Sequence, residues 1–248
     1  MSFEFLAADA ASAAGEIRPL ARSPIEWAQR NDGAEFDERA GWRVVAGYGA
    51  VDKEAAACRS TVGVADRSCL GKLELQGDPA TVASIVASLA GGAALELGQA
   101  VLAEDVWWCP LTTGRVLAVT APEATARVRD ELEAAGADGS FASVTELTSA
   151  FGSNAVVGPL ARETFARVTA LDLRPDRFPP GAFAPVSVAR TPGMVLREGG
   201  DRFLHLFGAA YAHYTWTVFI DAARHLGGRA VGDDALRAAS GARVAADA

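Results

Sequence analysis

The chain has 248 residues, 50% of them hydrophobic, which is enough to bury a substantial core and excludes disorder over most of its length. Its 23 basic against 31 acidic residues give a formal net charge of -8, which repels phosphate backbones and anionic lipid at long range and sets nucleic acid aside as a partner. Cys58, Cys69 and Cys109 are odd in number, lack the spacing a zinc site needs and suit a reducing compartment.

The opening MSFEFLAADA has neither the basic start nor the apolar run of a secretory signal, and no stretch approaches the roughly 20 apolar residues of a bilayer crossing. The expectation is a cytoplasmic protein without a membrane partner. Residues 1–22 read as an Ala-rich N-terminal extension, and the small, polar run from Gly241 to Ala248 as a second end outside the core.

Between these ends, Leu73-Glu74-Leu75 alternates as a half-buried strand, and Gly77-Asp78-Pro79 stops it and opens a helix through Leu89, with Asp78 as cap and Pro79 at the first helical position. Val106 to Cys109 and Arg115 to Thr120 read as a hairpin around a turn from Pro110 to Gly114. A second helix starts at Pro122, places Val128 and Leu132 on one face and ends near Gly136; Phe141 to Leu147 is a further strand. This β-α-β-β-α-β order is that of the ferredoxin-like, split β-α-β unit.

The order then returns. A strand at Ala155 to Val157, a helix from Pro159 to Val168, and strands near Pro185 to Ala189, Met194 to Leu196 and Phe203 to Phe207 are followed by a last helix from about Ala209 to Leu226. Tyr211, Tyr214, Val218 and Ala222 are spaced as its apolar face. The reading is an α+β body over residues 23–240, built as two related halves at about 60–148 and 149–240.

Three segments carry a family likeness. The first runs from Gly33-Ala34-Glu35-Phe36 through Gly41-Trp42, Tyr48, Glu54, Arg59, Gly63-Val64, Asp66, Ser68 and Gly71-Lys72 to Gly77. The second, and most specific, runs from Val144 through Phe151 to Val157-Gly158-Pro159 and on to Phe178-Pro179; the third is the final helix with Gly232, Ala235-Leu236 and Arg237. In order and spacing they resemble the folate-binding region of the glycine-cleavage aminomethyltransferase family, which also includes the γ subunit and part of the α subunit of heterotetrameric sarcosine oxidase. The resemblance spans roughly residues 30 to 237, with Ala46 where a proline is usual and Ala55 where a histidine is. It implies two ferredoxin-like halves with a tetrahydrofolate site between them.

The family's paired-Asp loop is short here, so Asp105 takes by position the role of the carboxylate that handles the one-carbon unit. The family's Tyr-Thr-Gly-Glu run has become the stretch from Arg197 to Phe203, in which Glu198 or Asp201 stands in for the pterin-binding glutamate. Nothing in the chain corresponds to the family's C-terminal barrel, a shortening most like the sarcosine oxidase γ subunit.

A reduced pterin needs aromatic or aliphatic walls and a carboxylate for its amine edge, and the parts the resemblance offers are Tyr48, Trp107, Trp108, Asp105, Glu198 and Asp201. Ordinary packing competes for the tryptophans, which face opposite sides of one strand. Arg197, Arg202 and Arg237 are candidates for the glutamate tail. His205, His213 and His225 form no metal set, and no glycine-rich nucleotide loop occurs. Expected, then, is a folate-binding one-carbon transfer protein that uses tetrahydrofolate and no metal. The alternatives are a non-catalytic γ-like subunit among flavoprotein oxidase chains, or a member whose cleft takes another small molecule.

Overall fold

The computed structural model describes residues 19–136 and 141–246. Its first segment, which periodicity leaves unassigned, forms a three-stranded sheet in which β3 (Trp42–Gly47) lies between β1 (Ala21–Arg22) and β2 (Glu35–Arg39). Helix α1 (Glu26–Asn31) links β1 to β2, and α2 (Val51–Ser60) follows β3. Glu54, 1% exposed, fixes this region: Oε1 accepts from the Tyr48 and Ala50 amides at 2.7 and 3.3 Å, and Oε2 accepts from the Gly232 amide at 2.9 Å. A Cβ at Gly232 would stand 2.1 Å from the Ala46 carbonyl oxygen, so only glycine allows that approach.

Strand β4 (Gly63–Asp66) enters one large sheet and β5 (Gly71–Gly77) the other. Helix α3 (Pro79–Leu89) starts as expected, with the Asp78 carboxylate accepting from the Ala80 and Thr81 amides. Then come β6 (Val101–Ala103), β7 (Val106–Thr112), β8 (Arg115–Thr120), α4 (Thr125–Ala135) and β9 (Ala142–Glu146), giving the order β6-β7-β8-β5-β9. Strand β7 runs through Pro110, which the sequence reading places in a turn. The proline is tolerated because short β6 pairs only as far as Trp108, leaving that outer edge of β7 unpaired.

The second large sheet has the order β11-β12-β13-β10-β4-β14, from β10 (Phe151–Val157), β11 (Phe183–Val188), β12 (Thr191–Gly199), β13 (Arg202–Gly208) and β14 (Arg229–Ala230). Here β4, which precedes β5 in the chain, separates β10 from β14. Helices α5 (Ala161–Ala166) and α6 (Ala212–Arg224) cover one face with α1, and α7 (Asp233–Ala246) lies with α2 on the other. The end read as starting at Gly241 therefore continues a helix to Ala246.

The apolar face of α6 differs from the expected one. Ala212, Trp216, Phe219, Ile220 and Ala223 are buried, whereas Tyr211 and Tyr214 are 44% and 47% exposed. A window begun at Tyr211 aligns with the aromatic rings, but the 3-10 turn over Ala209–Tyr211 ends before the helix and offsets its phase.

Between the two sheets, Cys109, Leu117 and Val119 meet Phe183, Met194, Leu196, Leu204 and Leu206. The middle of this seam is filled. On the far side of the β6-β9 sheet, α3 and α4 bury Val82, Val86, Val128 and Leu132 against Leu73, Leu75 and Trp108.

Candidate functional site

At one rim of the seam the linker from β4 to β5 meets the β2–β3 hairpin, the start of α4 and the first turns of α7. A cleft of about 370 Å³ opens there, inside the range of small-molecule sites. Its walls are partly apolar, through Val44, Cys69 and Leu236, and otherwise charged.

Asp233, in the first turn of α7, is the electrostatic centre. Its carboxylate accepts from Arg39 Nη1 at 2.6 Å, Arg67 Nη1 at 2.7 Å and Arg237 Nε at 2.8 Å. Burial pushes its pKa up, but the Arg67 charge and the hydrogen bonds from Arg39 and Arg237 outweigh this and hold it below the usual carboxylate value. Three guanidinium groups thus share one carboxylate, and Arg39 also reaches Asp234 at 2.7 Å. Arg67 Nε is buried and has no hydrogen-bond partner among the described residues.

The second carboxylate of the cleft, Asp66, is held at the end of β4. Its Oδ2 accepts from Gln29 Nε2 at 2.9 Å and its Oδ1 from the Ser68 amide at 2.8 Å. Each oxygen keeps a lone pair for another donor. Glu123 and Arg202 complete the charged lining. Burial raises the Cys69 thiol to about 11, so it stays protonated at neutral pH and is no nucleophile.

The sequence-predicted residues are dispersed. Arg237 lines the cleft. Glu198 reaches its edge indirectly, pairing with Arg202 at 2.7 Å. Asp105 sits exposed in the two-residue β6–β7 turn, where Glu104 and Asp105 have φ of 50° and 62°. Asp201 lies in the β12–β13 turn, its carbonyl accepting from the Gly158 amide. Arg197, 7% exposed, donates to the carbonyls of Phe178, Gly199 and Gly200 and lies over the Phe203 ring, so its guanidinium holds the hairpin together.

Trp107 and Trp108 face opposite sides of β7 as expected: Trp107 packs at the seam, and Trp108 is buried under the helices with its indole nitrogen unpartnered among the described residues. Tyr48 packs beside the core under α6, and burial pushes its hydroxyl pKa far up. Sequence reasoning missed Arg39, Arg67 and Asp233 as site residues. The available signal was the Asp233-Asp234 pair opening a helix four residues before Arg237.

Among the described residues no group of three or more His, Cys, Asp or Glu side chains is placed to hold a metal, and no helix is long and apolar enough to cross a membrane.

Two solved structures share the fold. Aminomethyltransferase T of the glycine cleavage system from Bartonella henselae superposes with a TM-score of 0.71 at 22% identity, over 87% of this chain and 60% of that one. The chain thus spans only part of that relative's length. A chain of heterotetrameric sarcosine oxidase from Corynebacterium sp. U-96, solved with pyrrole 2-carboxylate, gives a TM-score of 0.60 at 20% identity, over 72% of this chain and 93% of that one. No curated protein sequence matches significantly. The family model described as the GCVT N-terminal domain matches residues 25–243, and the chain belongs to that family.

Proposed function

We propose that the chain binds a reduced folate in the cleft around Asp233 and serves one-carbon transfer of the aminomethyltransferase type. The observation that carries this reading is the lining: carboxylates and several arginines around a partly apolar cleft of about 370 Å³, in a member of the GCVT N-terminal domain family. Asp66 or Glu123 would accept hydrogen bonds from the amine-rich edge of the ring, and Arg67 and Arg237 would pair with the carboxylates of the glutamate tail. When bound, a reduced folate supplies ring nitrogens able to accept a one-carbon group at the formaldehyde oxidation level. The fixed charge of Asp66 would favour cationic character developing beside it. Asp105, on its exposed turn, would take part only if the ligand extended over the β6–β7 hairpin.

Anaerobic calorimetric titration of the full chain with tetrahydrofolate tests this reading. Saturable binding that weakens in Arg237→Ala is expected, and no saturable heat at millimolar ligand overturns it.

The dispersal of Asp105, Glu198 and Asp201 favours a second reading, a non-catalytic subunit of a sarcosine oxidase-type complex. It predicts no folate binding and co-purification with flavoprotein chains.

A further inference from the structure

Helix α1 is built against its own chemistry. It buries Glu26 and Gln29, 6% and 0% exposed, and presents Trp27 at 69%. Tryptophan is among the costliest side chains to leave in water. On the facing helix, α6, His213 is exposed with its ring centroid 5.7 Å from that of Trp27.

Between Trp27 and α6 runs a groove of about 150 Å³, lined also by Asn31, Asp32, Thr217 and Asp221 and closed by Arg224. The volume is below the roughly 300 Å³ at which small-molecule sites begin, but it accepts the head of one side chain. Its walls select the charge of that head. Aromatic faces attract cations, and the two carboxylates disfavour an anion or a bare apolar group. Arg224 Nη1 stands 3.8 Å from Asp221 Oδ1 with both side chains at least 60% exposed, a loose pair that an incoming guanidinium displaces at little cost.

We infer that this groove is the anchor point of a protein–protein interface, in which Trp27, His213 and Asp221 receive an arginine side chain from a positively charged partner. Trp and Arg are among the residue types that concentrate binding energy in interfaces. The net charge of -8 steers a cationic partner toward the chain from a distance. The groove shares no lining residue with the Asp233 cleft, so the inference stands apart from the folate reading.

The test follows the Trp27 indole N–H and His213 ring resonances of the full chain by NMR during titration with N-acetyl-argininamide, N-acetyl-norleucinamide or a capped Gly-Arg-Gly peptide. The arginine compounds should shift both resonances saturably in the millimolar range and the norleucine compound should not. Asp221→Asn should weaken binding by about threefold or more, and Trp27→Ala should abolish the His213 response while the buried Trp216 indole resonance stays in place, showing an intact fold. Equal shifts with norleucinamide, no saturation, or an unchanged affinity in Asp221→Asn overturns cation recognition. Binding of free N-acetyl-argininamide with exclusion of the capped peptide overturns a protein partner.

Discussion

The two large sheets approach each other in two regions of opposite character. In the middle of the seam, Leu117 and Val119 meet Phe183, Leu196 and Leu204, each no more than 3% exposed, and no charged group is needed to explain the contact. At the rim, Arg39, Arg67 and Arg237 converge on Asp233 around open space. The seam is made by strands of the two large sheets, whereas the rim takes Arg39 from the N-terminal sheet and Asp233 from α7, which lie outside both. The two large sheets thus supply an apolar mutual interface, and charged groups collect where other elements close over its edge.

The sharpest way to break this comparison is to empty the seam. Leu204→Ala should cost about 3 kcal/mol in denaturant unfolding, the sum of lost burial and a cavity that close packing does not refill. A loss below about 1 kcal/mol would mean that the seam collapses or hydrates easily, and its contrast with the rim would disappear.

Next in size is Asp233→Asn, with an expected loss of about 2 kcal/mol, because three guanidinium groups lose their shared charge in a half-buried setting. The wild-type carboxyl titrates below its ordinary 3.8. Its contribution is therefore complete above that pH and is lost as the pH falls from 3.8 through the lower folded value. Unfolding free energies of the two proteins should converge across that acid window; a constant gap would show that the charge of Asp233 is not what the arginines need.

Much of the helix-covered side of the β6–β9 sheet was legible in the sequence and little of the rim. Alternation at Leu73–Leu75, the Asp78-Pro79 start and the Val128/Leu132 spacing each report a contact within one element and its own sheet; the helix start and the helix face are as expected, and the strand forms but is buried on both faces rather than one. Gly232 and Glu54 stood out by resemblance, but their bond to each other joins positions 178 residues apart, which no local period encodes. The same holds for Arg39 and Asp233, separated by 194 residues. Arg197 looked like a ligand group because charge suggests exposure, whereas its guanidinium satisfies two carbonyls of its own hairpin and that of Phe178 in the loop before β11.

Lys72 marks the boundary between the two regions. It is 0% exposed on the seam face of β5, opposite Val119, with Nζ donating to the Ser68 carbonyl at 2.8 Å. Burial lowers its pKa from 10.5 to about 8, an effect that the Asp66 charge partly offsets. Below pH 8 both folded and unfolded chains are protonated and the penalty for burying the ammonium is fully present; between 8 and 10.5 the unfolded chain holds the extra proton, so wild-type stability rises with pH. Lys72→Met should accordingly stabilise the protein by about 1 kcal/mol at pH 7, with the advantage shrinking as the pH approaches 10.5. A variant less stable than wild type at pH 7 would place this ammonium with the polar rim.

The smallest effect is expected at the hairpin that carries Arg39 to the cleft. Ala40, which lines the cleft, has φ of 48° and is followed by Gly41 at 75°, a turn with two left-handed residues that matches the twist of β2 and β3. A Cβ in that region costs about 1 kcal/mol, of which the greater freedom of glycine in the unfolded chain cancels a part. Ala40→Gly should therefore stabilise by about 0.5 kcal/mol in thermal or denaturant unfolding without moving Arg39 from Asp233. If the variant instead raised the cleft's ligand affinity, the hairpin would be a moving part of the site, and the rim would differ from the seam in mobility as well as in charge.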